Sequence, residues 1–196
     1  MVNILIGCTG SVATIKLPLL IDTLKIQFKS NYNKCDIQVI TTNCAKHFCS
    51  ANELPSDTKM FDDSSEWTMW QKRGDPVLHI ELGKWADIFL IAPLDANSLA
   101  KLANGLCDNL LTCTARAWDI SKPLIVCPAM NTRMYNHPIT DVHLKVLASW
   151  GYHIMPVIEK TLMCGDVGAG AMAEVNTIVN YLINICVTKK FENKNL

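Results

Sequence analysis

Residues 161–174, TLMCGDVGAGAMAE, set a single cysteine, Cys164, at the head of a run holding three glycines, Gly165, Gly168 and Gly170. A thiol can act as nucleophile, redox group or proton donor. Glycine gives the backbone unusual freedom at a cost in ordering entropy, which neither a packed core nor a simple turn requires in this amount. Cys164 is therefore either a small buried hydrophobe at a loop edge or a reactive group on a segment that moves. Four other stretches carry chemistry. In GCTGSV, Gly7 and Gly10 allow a tight turn and Ser11 opens a helix, an arrangement that suits a phosphate or serves as a structural turn. It is neither the full GxGxxG pattern nor a Walker loop. Thr42 adds a hydroxyl after the next strand. In APLDANS, Asp95, Asn97 and Ser98 stand where a helix begins, as a cap or as ligands. In CPAMNTRMY, the Asn131 amide can donate to and accept from a bound carboxylate or amide. His79, in DPVLHIELGKWAD, is either a satisfied structural histidine or an acid–base group. His47, His137, His143 and His153 occupy surface or helix positions.

Those residues must be placed by elements that the apolar pattern predicts. VNILIG, CDIQVITT, ADIFLIAP, KPLIVCPAM and YHIMPV read as buried strands. Helices are predicted over VATIKLPLLIDTLKIQF, NCAKHFCS, DANSLAKLANG, NLLTCTARAW, PITDVHLKVLASWG and NTIVNYLINICV, with a short helix and then a loop within 52–75. Pro18 falls inside the first helix and is expected to kink it. Strands alternating with helices argue for an α/β fold with a parallel sheet covered on both faces. Ligands of such sheets lie beyond the carboxyl ends of the strands, so GCTGS, TTNC, APLDANS and CPAMNTRM are expected along one rim. No repeat or linker divides the chain. Residues 1–187 read as a single domain and 188–196 as a polar tail.

The 196 residues include 18 Lys plus Arg and 18 Asp plus Glu, with 49% hydrophobic residues. Such a balance excludes a field that would draw nucleic acid or a membrane surface, so any anion must be held by local groups. The nine cysteines show no CxxC spacing for a metal or redox motif, and most are expected to be buried fillers. The opening apolar run is too short for a signal peptide, and none reaches the roughly 18 residues of a membrane span. A reduced, cytoplasmic, metal-free protein is expected.

GSVA at 10–13, DPVLHIEL around His79, APLDAN, PAMNTRM and CGDVGAGAMAE stand in the order and spacing of the homo-oligomeric flavin-containing cysteine decarboxylases, which this chain resembles from about Val2 to Val187. GLCDNLLTCTARAWD resembles the eukaryotic branch, which acts on 4′-phospho-N-pantothenoylcysteine in coenzyme A biosynthesis. The resemblance implies a Rossmann-like, flavodoxin-type fold, bound FMN, and a homotrimer with active sites at subunit interfaces. It implies FMN phosphate and ribityl contacts at Gly10, Ser11, Val12 and Thr42, with Asp95, Ala96, Asn97, Ser98 and Ala129 against the flavin. His79 matches the catalytic histidine, Asn131 the asparagine that grips the substrate carboxylate, and Cys164 a late proton donor on a flap, with Met163 and Met172 beside the substrate. The implied reaction oxidises the substrate thiol to a thioaldehyde, an electron sink that permits loss of CO₂, and then protonates and reduces the enethiolate. Tyr135 stands where the family has tryptophan and is expected to keep an aromatic wall. Relatives of this fold also serve as phosphatase-inhibitory subunits, peptide-cysteine decarboxylases or flavin prenyltransferases; the joint presence of His79, Asn131 and Cys164 favours the decarboxylase.

Overall fold

Side chains that alternate between two faces of the strands build the centre of the molecule. The computed structural model describes residues 1–32, 34–163 and 165–192. Strands β1 (Val2–Cys8), β2 (Cys35–Thr41), β3 (Lys59–Phe61), β4 (Ile88–Leu94), β5 (Leu124–Pro128) and β6 (His153–Ile154) form one sheet in the order β3-β2-β1-β4-β5-β6. Every pair in it is parallel. With the three-residue β3 set aside, the order is that of a flavodoxin-type sheet; β3 extends it toward the six-strand Rossmann order.

Ile4 and Ile6 of β1, with Ile88 and Leu90 of β4, face α1 (Leu17–Tyr32) and α8 (Val175–Glu192) through Leu20, Leu24, Ile178 and Leu182. Leu5, Phe89 and Ile91 point the other way. They meet α3 (Leu78–Trp85), α4 (Ala96–Ala103), α5 (Leu110–Arg116) and α7 (Pro138–Ser149). Two short helices, α2 (Asp63–Met69) and α6 (Thr132–Tyr135), and an antiparallel hairpin of β7 (Ile158–Thr161) and β8 (Val167–Ala171) complete the fold. A sheet buried on both faces in this way reads as nearly continuous apolar runs, which is why β1, β4 and β5 were legible.

The structure corrects several expectations. Pro18 does not kink a helix, because residues 12–16 form a 3₁₀ turn and α1 begins at Leu17. Pro18 thus sits in the first turn, where its missing N–H has no helical acceptor to serve. The helix expected over NCAKHFCS is a 3₁₀ turn of three residues, Ala45–His47. The strand read from YHIMPV is limited to His153–Ile154. β3, α3 and the hairpin were not foreseen. β8 carries Gly168 and Gly170, and glycine depletes strand signals. The last helix continues to Glu192, beyond Val187. Of the eight described cysteines only Cys8, Cys35, Cys49 and Cys127 are buried; burial pushes the Cys35 thiol up to about 11. Among the described residues no helix is long and apolar enough to cross a membrane, and no group of three or more His, Cys, Asp or Glu could hold a metal ion.

Phe89 is 0% exposed and packs on the Trp118 ring, with centroids 5.4 Å apart. Phe89→Ala is predicted to cost about 3–5 kcal/mol in denaturant unfolding. A loss below about 1 kcal/mol would show that this face of the sheet is not the tightly packed one.

Candidate active site

The strand order reverses between β1 and β4, and the two strand ends there are tied by one buried side chain. Thr9 is 0% exposed. Its hydroxyl donates to the Pro93 carbonyl at 2.9 Å and accepts from the Asp95 N–H at 2.7 Å. Its own carbonyl accepts from Ser11 N at 2.7 Å and from the Thr14 hydroxyl at 2.9 Å. Residues 9–14 are thereby folded into a turn beside Asp95. A Cβ on Gly10 would stand 2.6 Å from Cys44 Cβ and 3.0 Å from Asp95 Oδ2, so glycine is required by close approach.

A cavity of about 470 Å³ opens at this fork, a size that suits a small-molecule ligand. Gly10, Ser11 and Val12 form one side, Asp95 and Ala96 the next, and Ala129, Met130 and Asn131 the third. The hairpin closes the fourth side with Met163 and Met172. The predicted rim therefore converges, with Cys44 of the second segment packed against Gly10, although that segment does not line the cavity. Thr42 is 9% exposed and is spent on packing: its N–H donates to the Cys8 carbonyl at 3.0 Å and its hydroxyl accepts from Ala45 N at 3.4 Å. Ser98 is buried and its N–H donates to Asp95 Oδ1 at 2.7 Å; Asn97 is exposed. Neither lines the cavity. Asp95 is both the cap of α4 and part of the wall, so its two readings were compatible. Tyr135 does not line the cavity.

The glycines of the hairpin have a definite purpose. Gly170 has φ +138° and a Cβ there would meet the Met130 carbonyl at 2.4 Å. Met130 N donates to the Gly170 carbonyl at 2.9 Å. At Gly168 a Cβ would meet Thr132 Cγ2 at 2.8 Å. The hairpin is thus packed backbone to backbone on residues 130–132, rather than being simply loose. Asn131 Oδ1 accepts from Arg133 N at 2.8 Å, and Asn131 Nδ2 donates to Asp166 of the hairpin at 2.8 Å. Cys164 lies outside the described residues; its neighbour Met163 is 80% exposed, at the mouth of the cavity.

His79 is elsewhere. It is the second residue of α3 and does not line the cavity. Its Nδ1 pairs with Glu66 of α2. Sequence reasoning missed Thr9, hidden in CTGS as one more turn residue, and two cations on the wall, Lys16 and Lys160. Both lie near the Glu174 carboxylate, at 3.1 and 3.7 Å, and the hydrogen bond from Lys16 is the main cause holding that carboxyl below its ordinary range.

The donor set fits a flat anionic cofactor. The Ser11 hydroxyl and the Val12 N–H, at the head of its turn, offer an anion site. Ala96, Ala129 and Ala171 leave an open apolar wall that Met130 and Met172 extend.

Residues 1–186 match the family described as flavoprotein. Phosphopantothenoylcysteine decarboxylase of Mus musculus is 52% identical over 177 residues, covering 90% of this chain and 83% of that protein. Among solved structures, a PPC decarboxylase variant with a cysteine replaced by serine, complexed with pantothenoylaminoethenethiol, is similar with a TM-score of 0.85 at 46% identity, covering 92% of this chain and 96% of that chain. The FMN binding protein AtHal3 is similar with a TM-score of 0.81 at 47% identity, covering 92% of this chain and 94% of that one.

Thr9→Val keeps the shape of the side chain but leaves the Asp95 N–H and the Pro93 carbonyl without their shared partner. It is predicted to destabilise the protein by about 1–3 kcal/mol in denaturant unfolding, with Thr9→Ser close to wild type. A Thr9→Val effect within about 0.5 kcal/mol would remove Thr9 as the tie between the strand ends.

Proposed function

The chain belongs to the flavoprotein family, alongside phosphopantothenoylcysteine decarboxylases, and we propose that it converts 4′-phospho-N-pantothenoylcysteine to 4′-phosphopantetheine with FMN bound at the β1/β4 fork. The observation that carries this reading is one cavity that gathers the turn at residues 10–12, Asn131 and the β7–β8 hairpin, between whose strands Cys164 falls in the sequence. Residues 1–187 would act as a single decarboxylase domain in the cytoplasm.

Ser11 and Val12 would hold the FMN phosphate, with Gly10 admitting the close turn; Asp95, Ala96 and Ala129 would border the ring. FMN supplies, when bound, a hydride acceptor and donor for the carbon that bears the substrate thiol. The other contributions come from the chain. Asn131 Nδ2 now donates to the Asp166 carboxylate, so a substrate carboxylate would take that acceptor's place. Lys16 and Lys160 would complement the substrate phosphate. Once the thiol carbon is a thioaldehyde, the Cα–carboxylate bond can break, because its electrons pass into the C=S group. CO₂ leaves and an enethiolate remains. Cys164 would give its proton to Cα, and closure of the hairpin with Met163 and Met172 would exclude water. Support for that role comes from the related serine variant, which holds an aminoethenethiol.

His79 would handle the thiol proton, yet it lies outside the cavity of its own chain. A homotrimer resolves this: a neighbouring copy would bring its His79 to the cavity, and the exposed Asn97 would reach FMN at that interface, with the buried Thr42 and Ser98 shaping the fork behind it. The exposed Trp67, Trp70 and Val77 beside α2 and α3 are the apolar surface that such an interface would cover.

FMN-loaded protein is predicted to release CO₂ from the substrate over many turnovers. Cys164→Ser should still release CO₂ once per site but form 4′-phosphopantetheine at least about 10²-fold more slowly, with the unsaturated thiol detected by mass spectrometry. Full turnover by Cys164→Ser would contradict the proton-donor role. A flavin-loaded wild type that releases no CO₂ would favour an FMN-binding regulatory subunit.

A further inference from the structure

We propose that Glu66 is the positioning residue of His79, fixing the imidazole in the tautomer that leaves Nε2 free to exchange protons. The inference rests on the reading of His79 as the acid–base group. His79 Nδ1 is paired with Glu66 Oε1, and their side chains are 25% and 13% exposed. An ionised carboxylate only accepts hydrogen bonds, so the shared proton sits on Nδ1. A bond at one ring nitrogen decides the state of the other. Among the described residues Nε2 has no partner, and His79 is the only partner of the Glu66 carboxylate.

The helix that carries Glu66 is itself held in place. Asp62 caps α2, accepting from Ser65 N at 2.9 Å, while the Ser65 hydroxyl accepts from Asp62 N at 3.1 Å. Lys46 pairs with the Asp62 carboxylate. One residue on, Asp63 Oδ1 accepts from Leu110 N at 2.8 Å, which ties α2 to the start of α5. Glu66 follows within the first turn. A mostly buried carboxylate is costly without a partner, and here that partner is a ring whose second nitrogen stays open. Close by, the Cys113 thiol is pushed up to about 11, mainly by burial, with Cys107 and Glu66 adding to it. It therefore stays protonated and does not compete as an anion.

The same pair could merely pin α2 to α3, so the test must separate geometry from stability. Flavin-loaded wild type, Glu66→Ala, Glu66→Gln and Glu66→Asp are compared for kcat, KM, bound flavin and the ring-nitrogen NMR spectrum of ¹⁵N-histidine, with the His79 signal assigned by His79→Gln. The proposal predicts a wild-type His79 protonated on Nδ1. Glu66→Ala should lose that tautomer and about 10²-fold in kcat, with KM within about twofold. Glu66→Gln and Glu66→Asp, which keep an acceptor, should recover part of the loss. An unchanged His79 spectrum and kcat in Glu66→Ala would overturn it. So would a loss that follows flavin content alone, with activity per bound flavin at the wild-type value. If wild type itself does not turn over, the decarboxylase reading fails, while the NMR spectra still decide whether Glu66 sets the tautomer.

Discussion

The Thr9 hydroxyl is the point on which the site depends. A parallel sheet splits open where strand order reverses, and the turns leaving β1 and β4 diverge to opposite faces. Here one buried hydroxyl donates to Pro93 and accepts from Asp95. The divergence therefore begins from a fixed separation. Gly10 follows so closely against Cys44 and Asp95 that no side chain fits. Asp95 then caps α4 through Ser98, so the helix start, the turn and the cavity wall share one network. Losing the hydroxyl would leave the half-buried Asp95 N–H and the Pro93 carbonyl without their shared partner, at a combined cost of about 1–3 kcal/mol.

On the other side of the cavity the constraint is steric. Gly168 and Gly170 let β8 lie against Met130–Thr132 at distances that a methyl group would not permit. Glycine content that suggested a mobile loop thus also serves docking: the hairpin can seat only because it lacks Cβ atoms there. Motion and docking are compatible, since the contacts holding it include one backbone bond to Met130 and one side-chain bond from Asn131 to Asp166. A bound carboxylate offers Asn131 the same acceptor chemistry as Asp166. This gives a physical route by which substrate binding could exchange one hairpin contact for another.

The central sheet was legible because strands buried on both faces carry long apolar runs, as in NILIGC of β1 and IFLIAPL of β4. Convergence of GCTGS, APLDANS and PAMN followed from the topology alone. What escaped was set by contacts between segments distant in the chain. Thr9 meets Pro93 and Asp95 across more than 80 residues, and no local pattern marks it. Glu66 meets His79 only through α2 and α3, one of which was read as a short helix without boundaries and the other not at all. The hairpin was masked by its own glycines. Pro18 was misjudged because the 3₁₀ turn ahead of it shifts the helix start to Leu17.

The proposed site joins Asn131 and Cys164 of one copy to His79 of another, and this division can be tested by mixing. Two inactive variants, His79→Ala and Asn131→Ala, would be co-expressed with different affinity tags. Oligomers carrying both tags would then be isolated with bound FMN and assayed for CO₂ release from 4′-phospho-N-pantothenoylcysteine. The account predicts that mixed oligomers regain a substantial fraction of wild-type activity, because some interfaces then hold an intact His79 opposite an intact Asn131. Mixed oligomers as inactive as either parent, alongside an active wild type, would contradict it and place both residues of each working site in one chain.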